Sequence, residues 1–306
     1  MTLVRRSLPL VLVIALASSF SFGTAGSAPS APNRNDLQAY RGLGTWVDVY
    51  EYVPALQPAG KKPPLKPSAV DTMKDRGVKT LYLQAAQDDT RTPGATVTPK
   101  LVGQFLQDAH DAGLRVVAWY LPHFDDLDAD LRHIRGLLDF RSGGERFDGV
   151  ALDIEFRGDV SDVDARNTAL VELSNRVRKL APNRPIGAIV LEPVLLEVIN
   201  GDFWPNFPWR EIGDLYDVWL PMSYWTNRNT ASGYRDGFRY TDENIRRLRS
   251  NLAKPDAPVH AIGGLGNAAK AQDYVGFVRA ARQQKAIGWS IYNYGVTPRS
   301  AWSRLR

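Results

Sequence analysis

The sequence contains no cysteine, three methionines and four histidines in 306 residues. Without cysteine there is no disulfide framework, no thiolate nucleophile, no cysteine-ligated zinc or iron–sulfur centre and no lipid-anchor cysteine. His110, His123, His133 and His260 lack the close helical spacing of a zinc protease, so this reading assigns neither a metal nor a cofactor. Long apolar runs are also scarce. The longest, Leu8 to Phe20, is shorter than the roughly 20 residues a membrane-spanning helix needs.

That run follows Arg5-Arg6 and precedes small residues through Ala28, the charged, apolar and small-residue order of a secretory signal. The reading is therefore a signal peptide over residues 1–28, no stable membrane insertion after its removal, and an extracellular or cell-envelope location. Residues 29–43 read as a flexible leader, opened by a Pro-, Ser- and Asn-rich stretch. The formal net charge of +5 falls to +3 once Arg5 and Arg6 leave with the signal. The remaining cations are scattered, which is not the footprint of a nucleic-acid partner.

From Gly44 onward, short β-branched and aromatic runs alternate with helical patterns. Strands are expected at Gly44–Tyr50, Val78–Gln84, Arg115–Tyr120, Asp148–Ile154, Pro185–Leu191, Asp217–Met222, Val259–Gly263 and Ala286–Tyr292. Between them the pattern predicts helices at Ser68–Arg76, Pro99–Ala112, Asp126–Phe140, Val163–Leu180, Val194–Ile199, Glu243–Leu252 and Ala268–Gln284. Ser68, Thr98 and Asp242 are polar starts, and Gly77 and Gly113 are stops. Eight βα-sized units imply an α/β fold, a single (β/α)8 TIM barrel over residues 44–306.

In such a barrel, chemistry sits where strands end. Along Asp148-Gly-Val-Ala-Leu-Asp-Ile-Glu155, Asp153 and Glu155 share a face about 6–7 Å apart. Two acids on an inward face are costly to desolvate, and their proximity raises the proton affinity of one, which keeps it able to donate a proton near neutrality. Asp48 lies near the end of the first strand, on one face with Tyr50 and opposite Glu51, while the end of the fifth contributes Glu192. Met222 and Tyr224 share a face of the sixth strand, and Trp289 and Asn293 a face of the eighth. With Trp46, Tyr120 and Trp225 added, the mouth reads as acidic and aromatic, the combination that glycan cleavage requires. His123, Gln84, Gln87, Asp88 and Asp89 are further candidates on the neighbouring loops.

The fourth-strand stretch resembles the signature of the family 18 chitinases, as do Met222-Ser-Tyr224 and Trp289. The resemblance implies Glu155 as proton donor, Asp153 as the group that orients a substrate acetamido acting as internal nucleophile, Tyr224 as its support and Trp289 as a subsite floor. Ala151 departs from that pattern, which carries another Asp there. A partial resemblance to the family 25 lysozymes rests on Asp48 and on the Asp153-x-Glu155 pair and needs no acid at Ala151. An amylase-type arrangement using Asp153 and Glu192 is a third comparison, but Ala151 stands where that pattern has arginine. These likenesses imply a secreted glycosidase whose partner is a polysaccharide or oligosaccharide, with N-acetylated amino sugars as its units. The rival is a glycan-binding barrel that has lost catalysis.

Overall fold

The computed structural model describes residues 33–157 and 162–306, so the signal peptide expected over residues 1–28 lies outside the described residues. Eight strands, β1 (Gly42–Val47), β2 (Thr80–Gln84), β3 (Arg115–Tyr120), β4 (Gly149–Ile154), β5 (Ile186–Val190), β6 (Val218–Ser223), β7 (His260–Leu265) and β8 (Gly288–Tyr292), pair in parallel and in sequence order. The last pairs with the first, so the sheet closes into a TIM barrel. Strands covered on both faces need apolar residues throughout, and β2, β4, β5 and β6 are buried at every position.

The helices among the described residues are α1 (Val49–Tyr52), α2 (Ala69–Asp75), α3 (Pro99–Asp111), α4 (Leu127–Asp139), α5 (Val163–Leu180), α6 (Trp209–Ile212), α7 (Gly237–Leu252), α8 (Ala271–Gln283) and α9 (Trp302–Leu305). None is long and apolar enough to cross a membrane. The short α1, α6 and α9 carry too few turns to produce a legible periodicity. Residues 195–199 form a single π-helical turn.

Helix starts differ from the sequence reading in an informative way. Asp236 caps α7 by accepting the Arg239 N–H at 2.6 Å, six residues ahead of Asp242, which sits inside the helix and pairs with Arg246. Neither Ser68 nor Thr98 makes a side-chain cap; Pro99 starts α3 through its fixed φ instead. The stops are as expected, with Gly77 and Gly113 at φ of 87° and 78°, where a side chain is strained.

The segment read as leader through residue 43 also differs. Residues 38–40 form a 3-10 turn that pushes Tyr40 into the amino-terminal end of the barrel, fully buried, where its phenol donates to the Val150 carbonyl at 2.8 Å. Gly149 and Gly187 make room for it: a Cβ at either would lie 2.7 Å from the Tyr40 hydroxyl oxygen or 3.0 Å from its ring. Above this plug, Trp46 stacks on Tyr82 with ring centres 4.3 Å apart. His260 is held among the Tyr40 carbonyl (2.8 Å), the Ser290 hydroxyl (3.0 Å) and the Tyr82 hydroxyl (3.1 Å). Burial lowers the His260 pKa to about 4, so the imidazole stays neutral. The filled interior ends at Trp46, and an open bowl begins above it.

Candidate active site

The bowl lies at the carboxyl ends of the strands and encloses a cavity of about 470 Å³. Trp46, Trp119, Ile189 and Met222 contribute apolar surface, Tyr224 and Tyr292 contribute phenols, and five carboxylates line the same space.

Asp153 is the last inward residue of β4. It is 7% exposed, and its Oδ1 has no hydrogen-bond partner. The inward position below it is Ala151, wholly buried, whose methyl offers nothing to bond. Glu155 follows in the turn after β4, open upward to solvent but walled at the sides. Burial, with the Glu155 charge adding to it, pushes the Asp153 carboxyl well above the usual carboxylate range. Loss of hydration raises Glu155 as well. Because like charges oppose joint ionisation, the pair holds a proton in conditions where ordinary carboxylates have lost theirs.

Tyr224, the residue just past the end of β6, lines the bowl with this pair. Burial first, then the neighbouring Tyr292 and the acids, keep its phenol protonated and therefore a hydrogen-bond donor. Tyr292, the last residue of β8, donates to Asp48 Oδ2 at 3.1 Å, and the Asn293 amide donates to the same oxygen at 3.1 Å.

Asp48 is at the mouth, although not on a strand. The chain leaves β1 at Val47 and turns into α1, with Asp48 as its cap: Asp48 accepts the Tyr50 N–H at 2.9 Å, and Glu51 accepts the Asp48 N–H at 3.1 Å. This capping box turns Glu51 inward, whereas strand alternation had placed it on the outer face. Glu51 is 8% exposed and also accepts the Gly295 N–H at 3.0 Å, which ties the loop after β1 to the loop after β8. Burial and then the Asp48 charge raise its pKa to about 7. The Asp48-x-x-Glu51 spacing was the available signal for both the helix and the buried acid.

Four residues chosen from the sequence lie elsewhere. Tyr120 faces away from the bowl, buried under α4, where its phenol donates to Asp130 at 2.7 Å; Trp119, one position earlier, takes the inward place. Trp225 is fully buried against Phe277 of α8, with ring centres 5.3 Å apart. Trp289 packs outward under Arg282, and its indole donates to the Leu305 carbonyl at 2.7 Å. Its strand presents Tyr292 to the bowl instead. Glu192 is 3% exposed and outside the lining, with Arg228 3.7 Å away. Burial raises Glu192 to about 7. Trp46, Met222, Tyr224, Asp48, Asp153 and Glu155 do converge on the bowl, as do His123, Gln84, Gln87, Asp88 and Asp89. Among the described residues, no group of three or more His, Asp or Glu side chains is arranged to hold a metal ion.

No protein-family model matches this sequence, and no curated protein matches it. Solved structures do. The barrel is similar to the catalytic domain of a hyperthermophilic chitinase from Pyrococcus furiosus, with 13% identity over 90% of this chain and 96% of that one and a TM-score of 0.58. It is also similar to the spore cortex-lytic enzyme SleL from Bacillus cereus, with 12% identity over 95% of this chain and 78% of that one and a TM-score of 0.58. A chitinase-like agglutinin from Robinia pseudoacacia matches at 12% identity over 86% of this chain and 97% of that one, with a TM-score of 0.56. The chain has the chitinase-like TIM-barrel fold. At these identities, function has to be argued from the site.

Proposed function

We propose that this protein is an exported glycoside hydrolase that cleaves polymers of N-acetylated amino sugars. One observation carries the reading: a buried Asp153 with an unpartnered oxygen stands beside a proton-holding Glu155 on the wall of an aromatic bowl. In this reading Glu155 gives its proton to the glycosidic oxygen as the bond to the anomeric carbon breaks. The acetamido oxygen of the same sugar attacks that carbon, and its N–H is oriented by the free oxygen of Asp153. The Tyr224 hydroxyl donates to the acetamido oxygen and steadies it. Glu155, now a carboxylate, then takes a proton from the water that opens the cyclic intermediate. Trp46, Met222 and Asp48 are assigned to binding.

The likeness to a chitinase and a cortex-lytic enzyme supports the substrate class. Export rests on the Arg5-Arg6 and Leu8–Phe20 segment, and its readout is amino-terminal sequencing of the protein recovered outside the cell. The test of the activity is hydrolysis of chitin oligomers and peptidoglycan by the parent and by Glu155→Gln. The variant is expected to lose at least about a hundredfold in kcat/KM at unchanged thermal stability. A loss within about tenfold would remove Glu155 from the role of acid.

A second reading, a barrel that binds glycans without cutting them, is favoured by one observation, the methyl of Ala151 beneath Asp153. Calorimetric binding by the parent with no new reducing ends after long incubation would select it. The amylase-type arrangement loses support because Glu192 lies outside the bowl lining.

A further inference from the structure

The bowl offers a ligand many acceptors, and histidine is the one basic residue type in its lining. Asp48, Asp88, Asp89, Asp153 and Glu155 line it, no lysine or arginine does, and yet the chain as a whole carries a net charge of +5. Several donors on its walls are already committed. The Trp46 indole N–H goes to Ser290 at 2.8 Å, the Gln87 amide to Thr92 at 3.1 Å and the Tyr292 phenol to Asp48 at 3.1 Å. The acceptors are not equally spent. Arg91 neutralises Asp89 with bonds at 3.0 Å and 2.6 Å. Asp88, by contrast, has only His123, 3.8 Å away, and its side chain is 51% exposed. Asp153 adds a deeply buried oxygen with no partner.

Catalysis in the reading above uses Asp153 and Glu155, Asp48 caps α1 and accepts from Tyr292 and Asn293, and Asp89 is paired with Arg91; that leaves Asp88 to be explained. A neutral sugar hydroxyl gives a carboxylate one charge-assisted bond, whereas an ammonium brings three donors and a full opposite charge. We propose that the bowl selects amino-sugar polymers that are partly de-N-acetylated, seating the free ammonium of a ring next to the cleaved linkage against Asp88. This rests on the glycosidase reading for the cleaved ring, which keeps its acetamido group at Asp153; the amine belongs to a neighbouring ring. Peptide-free oligomers are the probe, because they separate a sugar amine from an amine on a peptide stem.

The experiment uses full-length Glu155→Gln protein, so that binding is measured without turnover. Calorimetry compares a fully N-acetylated hexamer with one about half de-N-acetylated, at about pH 6 where the amine is protonated. At about 20 mM salt the amine-bearing hexamer is expected to bind at least about fivefold tighter. The preference should fall towards one at about 200 mM salt. Adding Asp88→Asn should lower it at low salt, with thermal melting confirming that the exposed substitution leaves the fold intact. A preference of one or less, or one that Asp88→Asn leaves unchanged, overturns the proposal. Reducing-end release by the parent protein is followed in parallel. If neither hexamer is cut, the glycosidase reading fails, while the binding ratio still decides the amine preference.

Discussion

Asp153 and Ala151 occupy successive inward positions of β4, and the difference between a carboxyl and a methyl there sets the chemistry of the pair above. With no acid at Ala151 below it, the carboxyl that Asp153 is coupled to is Glu155 above. In the reading above, Asp153 serves the acetamido N–H through an acceptor oxygen, which depends on hydrogen-bond geometry more than on net charge. Asp153→Asn should therefore retain at least about tenfold more kcat/KM than Asp153→Ala, since an amide keeps an oxygen acceptor where alanine leaves none. Equal losses in the two variants would show that the oxygen is not used. This pair was legible in the sequence because alternation along one strand needs only local geometry. Tyr120 was not, because its partner Asp130 lies on the following helix and nothing local distinguishes it from Trp119.

At the scale of elements, strand existence followed from composition, and strand phase followed only where the chain stayed regular. β3 reproduces its expected limits, and β4 and β5 differ from theirs by a residue at one or both ends, because their apolar runs are continuous and flanked by turn residues. β1 ended early because Asp48 and Glu51 satisfy the first N–H groups of α1 better than a strand edge would. On β8, assigning Trp289 to the mouth put the wrong alternate set inward; Ser290 and Tyr292 are the inward residues. The Tyr40 plug was invisible because its support is 110 residues along the chain, at the Val150 carbonyl, and at the glycines of β4 and β5. Tyr40→Phe should lower unfolding free energy by about 1 kcal/mol through loss of that buried bond. Gly187→Ala should cost about 1–3 kcal/mol through overpacking against Leu220 and the Tyr40 ring. Denaturant titration of both variants checks this, and an unchanged midpoint for Gly187→Ala would mean that the plug can move aside.

Across the whole molecule, buried titratable groups make stability depend on pH in opposing directions. Glu51 and Glu192, each raised to about 7, are protonated in the folded chain where the unfolded chain has already ionised them. Their contribution is complete below the ordinary glutamate range and is lost as pH rises through about 7, up to about 3 kcal/mol for each. His260, lowered to about 4, has the opposite sign: its contribution is present above the ordinary histidine pKa and is lost as pH falls through about 4. Melting temperature should therefore fall between about pH 5 and pH 8, and Glu192→Gln should reduce that fall. An identical pH dependence in the variant would show that Glu192 ionises freely in the folded state.

In the proposed reaction Glu155, at the rim of the barrel, passes its proton to a glycosidic oxygen. The measurement that reaches this transfer most directly is reducing-end release from a fully N-acetylated oligomer, by the parent and by Glu155→Gln, across about pH 4 to 9. Cleavage by the parent is expected to decline on the alkaline side at a pH above the ordinary glutamate range, with near-complete loss in the variant at every pH. No cleavage by the parent at any pH, or a variant that follows the parent's profile, would contradict the proposed role of Glu155.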